Sequence, residues 1–302
     1  MKRNKLTIYF FLALTLLYVA IVMFSPADPS ATAKYHIDQS QIRLLTLTIV
    51  VPLVVIWLTA LYGSVRIHDY SKVIKDTKEG IAFKLVSRGL LFIAFSLPAN
   101  AVFGAVLSYF TVKNPNFQST ATILRNYFNI ILPAAGLLTI NKGASALIST
   151  LRKIRPVTWP PLTLPGIIIA SSVYTWLITT RPFSAAGDTG YYLPNWIILA
   201  TLSIPYLYIW CRGILAAVKF FVYKQNIRGV IYKKSLGLLA TGIATIIILS
   251  VASQILITLS ARLNRLNLTP ILILVYVLVA LNALGFGLVA RGAKKLKLIE
   301  EV

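Results

Sequence analysis

Apolar residues gather into long runs divided by short polar connections, and the runs are far longer than the strands or core helices of a soluble domain need. Windows of about 20 apolar residues, the length that crosses a bilayer as a helix, fall near 7–24, 43–64, 85–110, 121–141, 166–180, 193–218, 236–260 and 269–290. The pattern predicts an all-α integral membrane protein with eight transmembrane helices, the fifth being the shortest. Past Trp57, the positions Val65, Ile67, Tyr70 and Ile74 keep helical spacing with Arg66, Lys72 and Lys75 between them. The second helix is therefore expected to continue beyond the membrane surface as an amphipathic end.

The same pattern then recurs. A shift of 153 positions carries Pro52, Ile56, Trp57, Val65, Tyr70 and Ile74 onto Pro205, Ile209, Trp210, Val218, Tyr223 and Ile227, with Arg66 on Lys219 and Lys75 on Arg228. A shift of 149 carries Tyr127, Leu132, Ala134, Gly136, Gly143 and Ala144 onto Tyr276, Leu281, Ala283, Gly285, Gly292 and Ala293. Matches that persist through apolar and polar positions alike indicate a duplicated unit of about 150 residues. Four spans per unit return the chain to the same side, so the copies are expected to be parallel repeats related by a pseudo-two-fold axis along the membrane normal. The proline-rich stretch from Leu151 to Pro165 is the linker, which gives units 1–157 and 158–302.

A turn is expected at Asp76-Thr-Lys-Glu-Gly80 in the first unit and near Gly229 in the second, with Phe83-Lys84 and Tyr232-Lys233 leading into the spans that follow. Lys2, Arg3 and Lys5, the first apolar run and Ala31-Thr32-Ala33 together imitate a cleavable secretory signal. The repeat argues for retention, because Leu17-Tyr18 through Phe24 has a counterpart in Val173-Tyr174 through Thr179.

Composition adds orientation. Hydrophobic residues make up 57% of the chain and charged ones 13%, yet the formal charge is +22. With the N-terminus inside, 23 of the 30 Lys and Arg residues fall on the inner connections and termini. That bias predicts both termini in the cytoplasm of a cell carrying the protein in its plasma membrane. It also accounts for the charge without a nucleic-acid partner. A basic inner face attracts anionic headgroups at about 1 kcal/mol per side chain near the surface, and Arg66, Lys72, Lys75, Lys219 and Arg228 are the candidate lipid or partner face. A protein partner or a homo-oligomer also fits this face.

Little chemistry is offered inside the spans. Cys211 is the one cysteine, and His36 and His68 are expected on opposite sides, so no metal site is predicted. All eight acidic residues are expected in loops or tails, which leaves no intramembrane carboxylate for cation coupling. His68, Asp69, Asp76 and Glu79 read as a solvated helix end, since the second unit lacks the cluster. No cofactor is implied.

Polar residues present in only one copy are the better candidates for a specific task. Asn100, Asn129, Gln254 and Asn282 meet that criterion. Arg125, Asn126 and Asn129 form a polar face at helical spacing, while interhelical hydrogen bonding of about 0.6–2 kcal/mol accounts equally well for such residues. Arg212 lies about 24 Å along the helix from Trp196, so its side chain is expected to reach the inner headgroups or to contact an anion between the units. No nucleophile, base and orienting group assemble from the intramembrane residues, so an enzyme is not expected. Two readings remain. The first is a permease- or channel-like protein for a neutral or anionic solute or lipid; the second is a non-catalytic scaffold or subunit that binds a partner or anionic lipids through its basic cytoplasmic face.

Overall fold

A computed structural model describes residues 39–114, 118–151, 195–262 and 268–297, together with helical positions between 9 and 20. The first expected span is thus described in part. The fifth and most of the linker, with the boundary at 157, lie outside the described residues.

Every regular element among the described residues is a helix: α1 Gln39–Val73, α2 Lys78–Lys113, α3 Gln118–Ser149, α4 Asn195–Asn226, α5 Val230–Arg262 and α6 Leu268–Lys297. Among the described residues, three segments are long and apolar enough to cross a membrane, Ile131–Ser149, Val230–Leu249 and Tyr276–Leu296, and they mark the chain as membrane-associated.

Two tight connections set the geometry. The first is not at 76–80, as the polar run suggests, but at 74–77. Thr77 caps α2 by accepting the Gly80 amide at 3.0 Å, and its own hydroxyl donates to the Ile74 carbonyl at 2.7 Å, so Lys78, Glu79 and Gly80 already belong to the first helical turn. Gly80 is required by contact, since a Cβ there would lie 2.0 Å from the Ile74 carbonyl oxygen. The second connection turns at Gly229, whose φ of 100° lies in the left-handed region that glycine adopts without strain.

The six helices form a closed ring. Each packs against its successor in the chain, and α6 returns to α1. Helices α1, α3, α4 and α6 finish at the end of the ring where α2 and α5 begin. This end carries exposed Lys72, Lys75, Lys84, Arg88, Arg228 and Lys234 and is termed the basic end.

Two helix pairs approach closely through small residues. A Cβ on Gly89 of α2 would meet the Gly136 carbonyl of α3 at 2.6 Å, and one on Gly143 the Ala82 carbonyl at 2.7 Å. On the other side, a Cβ on Gly242 of α5 would meet the Gly285 carbonyl of α6 at 2.7 Å, and one on Gly292 the Ser235 carbonyl at 2.8 Å. Such approaches gain dispersion contacts between backbones, the main attraction open to helices already surrounded by lipid. Between α1 and α2, Ser64 and Ser87 exchange hydroxyl-to-carbonyl bonds of 2.8 and 2.9 Å.

One contiguous apolar core draws on all six helices. It includes Trp57, Ile67, Phe83, Ile140, Phe220, Leu236 and Val289, and Trp57 and Tyr223 are among its largest fully buried side chains.

Candidate functional site

Polar side chains gather where α1 to α5 converge at the basic end. Heptad spacing puts Arg212 and Lys219 on one face of α4, and that face turns inward. Lys219 is 7% exposed and Arg212 8%. Lys219 Nζ donates to Asn141 Oδ1 and Ser145 Oγ of α3, both at 2.8 Å. Arg212 Nε donates to the Tyr208 hydroxyl at 3.0 Å, with the guanidinium 5.1 Å from that ring's centroid. Neither α3 nor α4 contains an acidic residue.

A second cluster lies close by. The Tyr223 hydroxyl of α4 donates to Glu79 Oε1 in the first turn of α2. Burial, and after it the Glu79 carboxylate, pushes the Tyr223 hydroxyl above the usual phenol range. Tyr232 of α5 brings a buried hydroxyl with no hydrogen bond of good geometry among the described residues. Tyr70 of α1 stacks edge-on against Phe83 at 5.2 Å. Towards the opposite end of the ring, the Tyr276 hydroxyl of α6 donates to Thr48 Oγ1 of α1.

The residues singled out from sequence are distributed unevenly. Of the basic-face candidates, Lys72, Lys75 and Arg228 are exposed and Arg66 is half-buried. Lys72 pairs with Asp69 at 3.5 Å, and the Arg66 guanidinium lies 5.0 Å from the Tyr62 ring centroid. Lys219 does not share that face. Asn282 is half-buried, and its amide donates to the Leu278 carbonyl of its own helix at 2.9 Å. Asn100, Arg125, Asn129 and Gln254 occupy helical positions whose side chains lie outside the described residues.

Asp69 and Glu79 are helical rather than in loops, because α1 runs on to Val73 and α2 starts at Lys78. Among the described residues, no three His, Cys, Asp or Glu side chains group as metal ligands. Sequence reasoning passed over Asn141 and Ser145. Their spacing of four on one helix was the available signal. Compared with known proteins, the chain matches no family model, no curated protein and no solved structure.

Proposed function

We propose that this chain is a non-enzymatic integral membrane protein of the plasma membrane that binds anionic lipid headgroups through its basic end. The observation that carries the reading is the division of labour at that end. One apolar core drawn from all six helices fills the interior, while Lys72, Lys75, Lys84, Arg88, Arg228 and Lys234 remain on the outside, where clustered cations attract anionic headgroups. Exposed Val73, Ile81, Val230 and Ile231 accompany them and suit the boundary between headgroups and acyl chains.

Within this proposal the chain has eight spans in two tandem units, with both termini in the cytoplasm. The close helix approaches support the duplication, because they repeat at the two shifts read from sequence. Gly89 and Gly242 are 153 apart, and Gly136 and Gly285, like Gly143 and Gly292, are 149 apart. In this register Glu79 corresponds to Tyr232, and Phe83 to Leu236 rather than to Tyr232. The bias of Lys and Arg supports the orientation.

The test is charge reversal on the outside of the basic end. Full-length protein extracted in a neutral detergent and supplied with equal phosphatidylglycerol and phosphatidylcholine is expected to retain more of the former in native mass spectrometry. Lys72→Glu, Lys75→Glu and Arg228→Glu combined should lower that preference by several-fold. Equal retention of both lipids by the unmodified chain contradicts the proposal, and recovery of a stoichiometric acidic protein at this face would reassign it to a protein partner.

A permease for a neutral or anionic solute or lipid is the second reading, supported by the closed ring, in which α1–α3 and α4–α6 pack together through the α3–α4 and α6–α1 contacts. Reconstituted vesicles test it: Asn100→Leu should reduce flux without altering expression or melting.

A further inference from the structure

We infer that the Tyr223–Glu79 pair is a clasp across the basic end of the ring: it holds the α1–α2 hairpin against the α4–α5 hairpin, and its release opens that end while the rest of the ring stays packed. Helices α2 and α4 are not neighbours in the ring, because α3 stands between them. The Tyr223 hydroxyl nevertheless donates to Glu79 Oε1, so the bond runs past α3, from the last turn of α4 to the first turn of α2. Each hairpin is joined by a short turn, 74–77 or 227–229. A tie between single residues therefore restrains both helices of each hairpin. Tyr70 of α1 and Tyr232 of α5 complete the group. Tyr70 is 7% exposed and Tyr223 1%, and Tyr223, Tyr70 and Glu79 all act electrostatically on Tyr232, so side chains from four helices gather here.

Given the duplication proposed above, the shift of 153 explains the composition of the group. It carries Tyr70 onto Tyr223 and Glu79 onto Tyr232, so the pair Tyr223–Glu79 has its counterpart in Tyr70–Tyr232. Two glutamates at these places would repel one another, and two tyrosines would leave the hydroxyls without a charged acceptor. One of each supplies a single carboxylate, and a hydrogen bond to it is roughly twice as strong as one between neutral groups. Opening at this end is local. Amides beside the clasp exchange as the tie breaks, whereas those around the Gly89–Gly136 and Gly242–Gly285 approaches follow the packing of their own helix pairs.

The clasp stands under either reading of function, and hydrogen exchange tests it. Full-length protein in a neutral detergent is compared with Glu79→Ala and Tyr223→Phe by mass spectrometry of its peptides. The expected result in each variant is exchange faster by about tenfold at both 66–86 and 219–236, with 89–104 and 272–285 unchanged. The double variant should exchange no faster than either single one, because both remove the same bond. Glu79→Gln, which keeps an acceptor oxygen, should fall between. Tyr232→Phe deletes a hydroxyl that has no hydrogen bond of good geometry among the described residues, and it should leave both segments as they are. Acceleration confined to 78–86 in Glu79→Ala would mean that the carboxylate serves only its own helix terminus, and that result overturns the clasp. So do effects that multiply in the double variant, uniform acceleration along all helices, and no acceleration in either variant. If Glu79→Ala does not fold, Tyr223→Phe is read at 78–86, across the bond from the substitution.

Discussion

Tyr223 shows how much a single side chain carries at the basic end. Its hydroxyl joins α4 to the first turn of α2 through Glu79, and a hydrogen bond to a charged group contributes about 1.5–3 kcal/mol. Tyr223→Phe is expected to lower stability by roughly 1–3 kcal/mol, measured as melting in detergent. The sign of its pH dependence follows from the raised pKa. The folded state favours the neutral phenol, so this stability is fully present below the ordinary value of about 10 and is lost as pH climbs above it. Part of the alkaline fall in melting temperature should therefore disappear in Tyr223→Phe; an identical fall in both proteins would remove Tyr223 from that role. Asn282 makes the opposite case. Its amide is already engaged by its own helix, so Asn282→Leu should shift melting by less than about 1 kcal/mol and leave lipid preference unchanged. At this scale the sequence is least informative. It marked Arg212 and Lys219 as notable charges, but the inward turn of both and the pairing with Asn141 depend on the rotation of α4 against α3, which no local pattern encodes.

At the scale of elements, the glycines of the two close pairs carry the clearest consequence. A Cβ on Gly242 would press to 2.7 Å on the Gly285 carbonyl, and one on Gly89 to 2.6 Å on that of Gly136. Backbone cannot yield as a flexible side chain does, so Gly89→Ala and Gly242→Ala should each destabilise by about 1–3 kcal/mol. Gly104→Ala and Gly287→Ala meet nothing within 4 Å, and they should be neutral or stabilise by up to about 1 kcal/mol. Equal effects at all four positions in thermal melts would contradict close packing at these contacts. Much of this level was legible beforehand. The apolar runs 43–64, 85–110, 121–141, 236–260 and 269–290 each fall within one helix, and Gly136 and Gly285 were recognisable as sites of close approach. The turn before α2 was displaced because Asp76 to Gly80 is a polar run, whereas the boundary is set by the Thr77 cap, a hydrogen bond and not a hydropathy signal.

For the whole molecule, the closed ring explains why charge and apolar surface separate as they do. Six helices in a ring turn one face each to a common core, and apart from the inward Arg212 and Lys219 of α4 the cations Lys72, Lys75, Lys84, Arg88, Arg228 and Lys234 near helix ends are left on the outside. That segregation was foreseeable from the spacing of Lys and Arg along the chain. Ring order was not, because adjacency of α6 to α1 and of α3 to α4 is a property of the assembled helices. Under the proposed duplication these two contacts would correspond to one another, as a two-fold axis requires. The most direct measurement is lipid selectivity in a bilayer. Full-length protein is reconstituted in equimolar phosphatidylcholine and phosphatidylglycerol, and tryptophan quenching is compared with one lipid or the other brominated. The account predicts stronger quenching by brominated phosphatidylglycerol, with the excess falling as salt rises to about 1 M, where the screening length is near 3 Å, and lost when Lys72, Lys75 and Arg228 are reversed to Glu. Equal quenching by the two lipids at low salt would contradict it.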